Sequence, residues 1–172
     1  QQVISRKGNP LIPSVLSFGK IAGGFATNVI PDKVELLGTF RTMDEKWRYE
    51  AHQWIEQITH QICTSYGATA LVEIPKGYPS LFNDPILTAQ AESWAKYFMG
   101  EANVETLNLR MAAEDFSFFA QQIPACFFRI GTNQNNEKFT APVHNAHFDI
   151  DEEALKIGVG MFAWMSINAL KD

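Results

Sequence analysis

The chain has 172 residues, of which 46% are hydrophobic and 19% charged, with a formal net charge of −5. There is no basic block or basic–aromatic stripe, which argues against nucleic acid as a partner, and no apolar run approaches the roughly 18 residues needed to cross a bilayer. Cys63 and Cys126 form neither a disulfide framework nor a Cys-x-x-Cys metal motif and read as buried free thiols, a usage that favours a cytoplasmic location.

In chain order, residues 1–6 (QQVISR) read as the last turn and a half of a helix. With no initiator Met and no signal peptide, the chain is expected to be a piece of a longer protein. After a Gly- and Pro-containing turn, residues 14–21 (SVLSFGKI) read as a strand broken by Gly23-Gly24. Residues 28–32 (NVIPD) form a turn. Residues 33–41 (KVELLGTFR) alternate with period two and predict a second strand, antiparallel to the first. A helix starts near Asp44, with Trp47, Ala51, Trp54, Ile55, Ile58 and Ile62 on one face, and stops at Gly67. Residues 68–74 (ATALVEI) predict another strand. Residues 1–79 therefore read as a (α)ββαβ layer, which one further strand at the start would complete to a ferredoxin-like βαββαβ unit.

Pro75, Pro79 and Pro85 mark a hinge. Beyond it the pattern predicts a helix over 86–99, a short strand over 104–109, a short helix over 114–122, a buried strand over 125–130 (ACFFRI) and a long helix over 151–170 with Asp151, Glu152 and Glu153 at its positive end. The phenylalanines 116, 118, 119, 127 and 128 are expected in a core. The division is then 1–80 and 81–172, the second part offering too few strands for a layered domain of its own.

Several residues could carry chemistry, and each has a plain structural reading beside it. His144, in a loop before an acidic helix start (VHNAHFD), could ligate a metal or sit solvated in a turn. Asn28 and Arg41 could be brought together by a hairpin to hold a carboxylate, for which the Arg fork is suited, or could be a turn residue and an edge residue. Glu114 and Asp115 could start a helix or support a site from behind. Gly131 closes ACFFRI, either to let a ligand approach or to serve a turn.

Together, GGFATNVIPDKVELLGTFRT, AEDFSFF, PACFFRIGT and VHNAHFDIDEEALKIG resemble, in order, segments of the aminoacylase, carboxypeptidase and hippurate-hydrolase family of metal-dependent hydrolases, the last three resembling its N-acyl-amino-acid amidohydrolase branch. The resemblance implies an α/β protein. Residues 1–80 would be most of a lid and dimerisation domain, and residues 81–172 the end of a layered zinc-peptidase-like catalytic domain. It implies two divalent ions in the whole enzyme, usually zinc, with manganese, cobalt or nickel in some members. His144 falls at the metal-ligand histidine, although Asn145 and Ala146 stand where the family has Ser-Pro. His147 falls at a variable position and is not taken as a ligand. Asn28 and Arg41 match lid residues that grip the substrate carboxylate, Gly131 matches a pocket glycine, and Glu114 with Asp115 matches a supporting motif. The general base, a glutamate, is expected outside these residues, so no catalytic residue lies within them and the chain alone is expected to be inactive. The implied substrate is a small N-acyl or N-aroyl amino acid, or a dipeptide-like molecule. A homodimer through the lid is also implied. A carboxypeptidase or dipeptidase of the same family, and a non-catalytic binding or dimerisation module, are the alternatives.

Overall fold

The computed structural model describes residues 1–133 and 137–171. It divides into two compact units, one comprising Gln1–Leu81 with Leu109–Phe118 and the other Phe82–Asn108 with Phe119–Asp172.

In the first unit, the expected helix remnant is a single wide turn, Val3–Lys7, closed by Gly8 N donating to Val3 O at 3.1 Å. Strands β1 (Ser14–Gly23) and β2 (Val34–Thr42) form an antiparallel pair, with Val15 opposite Arg41 and Gly23 opposite Val34. The register slips by one between Phe18 and Lys20, leaving Gly19 as a bulge. Gly38 is required opposite it: a Cβ there would come within 2.6 Å of Ser17 O and 2.8 Å of the Phe18 ring.

Helix α1 (Glu45–Ser65) is capped by Asp44, whose Oδ1 accepts from Trp47 N at 2.6 Å. It lays Trp47 and Ala51 against Val3 and Leu16, with Phe40, Trp54, Ile55 and Ile58 packed around them. The Trp47 ring meets Phe40 edge-on at 6.4 Å, and its indole N–H donates to Ser14 Oγ at 2.9 Å. The stretch expected to hinge is tethered to the first turn of this helix. Arg48 Nη1 donates to Tyr78 O at 2.8 Å, and Glu45 accepts from Ser80 N at 2.8 Å; Glu45 and Arg48 are themselves paired at 2.6 Å.

In the second unit, α2 (Pro85–Met99) starts with Asp84 accepting from Leu87 N at 2.8 Å and Pro85 at its first position. It packs against α4 (Glu153–Ala169). Trp164 stacks on Tyr97 at 5.3 Å and donates to Trp94 O at 3.1 Å. Gly160 permits the approach, since a Cβ there would come within 2.8 Å of Phe98 Cζ. A four-residue helix, α3 (Ser117–Ala120), lies between them in sequence.

Three predicted strands are not strands: 68–74, 104–109 and 125–130 lie outside any ladder, and β1–β2 is the whole sheet among the described residues. An apolar, β-branched run satisfies the residue preference for a strand, but the strand exists only with a partner's hydrogen bonds. Within 125–130, Phe127 finds its bonds on a side chain and Ala125 on a single backbone N–H. Asn83 Oδ1 accepts from Phe127 N and its Nδ2 donates to Phe127 O, both at 2.9 Å, and Asp84 N donates to Ala125 O at 2.8 Å. The mixed α/β character stands, and the ferredoxin-like completion does not follow from two paired strands. The helix expected over 114–122 shortens to Ser117–Ala120. Of the phenylalanines expected in a core, Phe118 and Phe119 are 55% and 62% exposed, while 116, 127 and 128 are half-buried. Cys63 and Cys126 are free and half-buried rather than buried.

One residue of the first unit gives the fold a pH dependence. His52, on α1, meets Phe40 edge-on at 5.9 Å. Burial pushes its imidazole below the ordinary 6.5, and Arg48 and Lys76 push it the same way, against Glu45. Just below that ordinary value the unfolded chain therefore binds more protons than the folded one. The stabilisation from neutral His52 is complete above it and is lost as pH falls through the lowered folded value. Urea unfolding between about pH 8 and about pH 5 should show His52→Gln losing less stability on acidification than the unaltered chain, since it removes the one imidazole in this setting. Parallel curves for the two proteins would rule His52 out as the cause.

Candidate substrate and metal site

Arg41 sits next to the end of β2, opposite Val15, with its side chain exposed. Its Nη1 donates to the Met111 carbonyl at 2.9 Å, so the strand reaches a segment seventy residues on within the same unit. Asn28 is exposed in the turn of the loop joining β1 to β2. That loop leaves the ladder at the Gly23–Val34 end. Seven residues of β2, roughly 24 Å at about 3.4 Å per residue, separate Val34 from Arg41. The hairpin therefore sets the two residues towards opposite ends instead of bringing them together.

The segment holding Glu114 and Asp115 is organised locally. Glu114 O accepts from both Ser117 N (3.2 Å) and Ser117 Oγ (2.6 Å), and Glu114 Oε1 accepts from Phe116 N at 3.3 Å. Asp115 O accepts from Phe118 N at 3.0 Å. The Glu114 side chain thus satisfies a backbone donor at the start of α3, while Asp115 is exposed. Ser117 is fully buried. Sequence reading passed over it, although a serine three residues after Glu114 is placed to bond back to the turn.

In the second unit, Gly131 is exposed, and a Cβ there would meet nothing within 4 Å, so local sterics do not demand a glycine. Beside it, Ile130, Thr132, Ile150, Ala154, Leu155, Gly158, Val159 and Phe162 line an open, almost wholly apolar hollow of about 450 Å³. Asp151 N donates to Thr132 O at 2.9 Å and fixes one wall. The part of the 132–142 loop at 134–136 lies outside the described residues.

His144 is exposed and is the one residue other than glycine with positive φ, 69°, among those described. This left-handed conformation costs an L-residue about 1–2 kcal/mol, and such strain concentrates at functional positions. The turn around it is built by the neighbouring Asn145. Asn145 N donates to Pro142 O at 3.2 Å, its O accepts from Phe148 N at 3.0 Å, and its Oδ1 accepts from His147 N at 2.9 Å. Asparagine thus builds a tight turn where the resembled family has Ser-Pro, and the sequence signal for it is the ordinary turn preference of Asn. The turn leaves the His144 imidazole exposed to a ligand. Among the described residues no group of three or more His, Cys, Asp or Glu side chains converges to hold a metal, so His144 can supply one ligand of a site that needs others. No described helix is long and apolar enough to cross a membrane.

The pattern of peptidase family M20/M25/M40 matches residues 12–166. The chain is 32% identical over 166 residues to thermostable carboxypeptidase 1 of Saccharolobus solfataricus, covering 96% of this chain and 42% of that protein. It is 33% identical over 174 residues to the N-acetyl-L-cysteine deacetylase of Bacillus subtilis, covering 100% of this chain and 39% of that one. The crystal structure of B. subtilis YXEP, described as a dinuclear metal-binding peptidase of the M20 family, superposes with a TM-score of 0.75, with 29% identity over 99% of this chain and 44% of its own. The chain spans about two fifths of the length of the curated relatives it matches.

The strain at His144 can be measured without any metal. His144→Gly should unfold at higher denaturant than His144→Ala, by about 1 kcal/mol, because alanine keeps the left-handed penalty that glycine escapes. Equal midpoints would mean that His144 does not hold this conformation in solution.

Proposed function

The chain belongs to peptidase family M20/M25/M40, and from that membership we propose that the whole protein is a metal-dependent hydrolase of the amide bond in N-acyl or N-aroyl amino acids. The observation that carries this reading is the family match itself, which spans both Arg41 and His144. An acyl-amino acid presents a scissile amide with a free carboxylate one carbon beyond its nitrogen. Arg41, exposed at the end of β2, is a planar donor fork for that carboxylate, whereas Asn28, towards the opposite end of the hairpin, would meet a different part of the bound substrate. Fixing the carboxylate fixes the amide, which converts binding energy into orientation. Residues 1–80 act as the lid that carries this grip, and residues 81–172 as the end of the catalytic domain.

His144 would be one ligand of a divalent metal pair, held out by the Asn145 turn. Zinc is the expected ion, with manganese, cobalt and nickel as substitutes. When bound, the pair supplies a water of lowered pKa and polarises the amide carbonyl. A glutamate outside these residues is the proposed base, moving the water's proton to the leaving amine. Gly131 and the adjoining apolar wall belong to the acyl side of the substrate. We place the protein in the cytoplasm as a homodimer through the lid.

A second reading is favoured by the identity to a carboxypeptidase. The C-terminal residue of a peptide offers the same amide and the same neighbouring carboxylate, so Arg41 serves either substrate. The two differ in what lies on the acyl side.

The full-length protein assayed on N-benzoylglycine, N-acetyl amino acids and short peptides, with added zinc, manganese or cobalt, decides between them. His144→Ala should lose both metal and rate. Arg41→Ala should raise KM roughly 10- to 100-fold, the effect of removing a charge-assisted hydrogen bond. Turnover of peptides alone would favour the carboxypeptidase. Inactivity on every substrate, or both variants behaving like the unaltered protein, would leave a binding or dimerisation module.

A further inference from the structure

The contact from Arg41 to Met111 gives the guanidinium a second task. Met111 stands three residues before Glu114, and the segment Leu109–Phe118 is part of the first unit. At its far end Phe118 meets Tyr78 edge-on at 5.9 Å, and the Tyr78 carbonyl is held by Arg48 at 2.8 Å. Between these attachments Ser117 is fully buried and doubly bonded to the Glu114 carbonyl. The Glu114–Asp115 stretch is therefore suspended between two fixed points, one of them Arg41.

We propose that Arg41 is a positioning residue for this stretch as well as the anchor for the substrate carboxylate, so that a bound carboxylate and an ordered Glu114–Asp115 turn reinforce each other. The inference rests on the reading of Arg41 as the carboxylate anchor. A guanidinium carries five N–H donors in one plane. The Met111 carbonyl takes one of them, which leaves an edge for a bidentate carboxylate. Arg41 is otherwise exposed, and holding a long side chain in one rotamer costs entropy. Either partner, once bound, has already met that cost for the other. The coupling is reciprocal: losing the Met111 contact weakens carboxylate binding, and an absent carboxylate loosens the turn.

Hydrogen exchange on the full-length protein tests this without turnover, in the presence of a chelator and with N-benzoylglycine as the probe. The amides to follow are Phe116, Ser117 and Phe118, all hydrogen-bonded within the turn. Arg41→Ala should speed their exchange roughly tenfold, the effect expected for one charge-assisted hydrogen bond holding a local opening closed. N-benzoylglycine should slow exchange in the unaltered protein and have no effect in Arg41→Ala. Arg41→Lys, a point charge without the fork, should bind the probe weakly and transmit no protection. It serves as the second variant should Arg41→Ala fold poorly. Probe binding that leaves exchange at these three amides unchanged would overturn the coupling while leaving the anchor role intact. No probe binding by the unaltered protein at any concentration, shown by calorimetry, would overturn the anchor role and the coupling with it. Unchanged exchange in both variants without the probe would overturn the positioning role.

Discussion

Trp47 is the residue on which the first unit depends. It is 5% exposed, and its three polar and apolar attachments each fix a different part of the chain. Its backbone N–H is taken by Asp44, which sets where α1 begins. Its ring lies on Phe40 of β2, and its indole N–H goes to Ser14 Oγ. That hydroxyl is also 3.1 Å from Thr42 Oγ1, so the same bond network closes the open end of the hairpin. Arg41 lies beside Thr42 on that strand, and Glu45 and Arg48 lie on the same helical turn as Trp47. Arg41 and the tether on residues 78–80 are therefore both anchored next to one buried indole. The other end of the hairpin has no such cover. Leu36 and Leu37 point to opposite faces, as successive strand residues must, yet both are about half exposed.

Legibility in the sequence followed the range of the interactions involved. Helix α1 was readable at both ends because its determinants are local: an Asp cap, a 3.6-residue apolar spacing and a terminal glycine with positive φ. The β1–β2 hairpin was readable because consecutive strands joined by a Gly- and Pro-containing loop become each other's partner. The run ATALVEI has the same strand-like residues as KVELLGTFR, but strand formation is a relation between two segments, and residues 68–74 have no ladder partner among those described. ACFFRI shows a subtler case. The backbone N–H and carbonyl of Phe127 are both met by the amide of Asn83, a side chain doing at that residue what a neighbouring strand would do, and nothing in the composition of 125–130 announces that.

The candidate site divides in the same way. The residue types at 41, 114, 115, 131 and 144 were legible because they occur in segments that resemble a known family. Their spatial partners were not. The contact from Arg41 to Met111 spans seventy residues. The wide separation of Asn28 and Arg41 follows from the length of β2 between the loop and Arg41, which is fixed only once the ladder is formed. The left-handed backbone of His144 depends on Asn145 folding the chain back, and a sequence pattern that asks only for histidine does not encode it.

These long-range bonds also explain why residues 109–118 belong with the first unit, although by sequence they fall inside the second. Apolar burial is small at the two ends of this segment, where Leu109 and Phe118 are largely exposed, and partial at Met111 and Phe116, which are half-buried. To this are added directional contacts: a guanidinium on a carbonyl, an aromatic edge, and a buried serine that stiffens the turn between them. A charge-assisted hydrogen bond such as that from Arg41 contributes about 1.5–3 kcal/mol, enough to bias the position of a ten-residue segment. A segment attached largely by directional bonds at its two ends is placed by those bonds and by little else, so its position depends on the few side chains that make them.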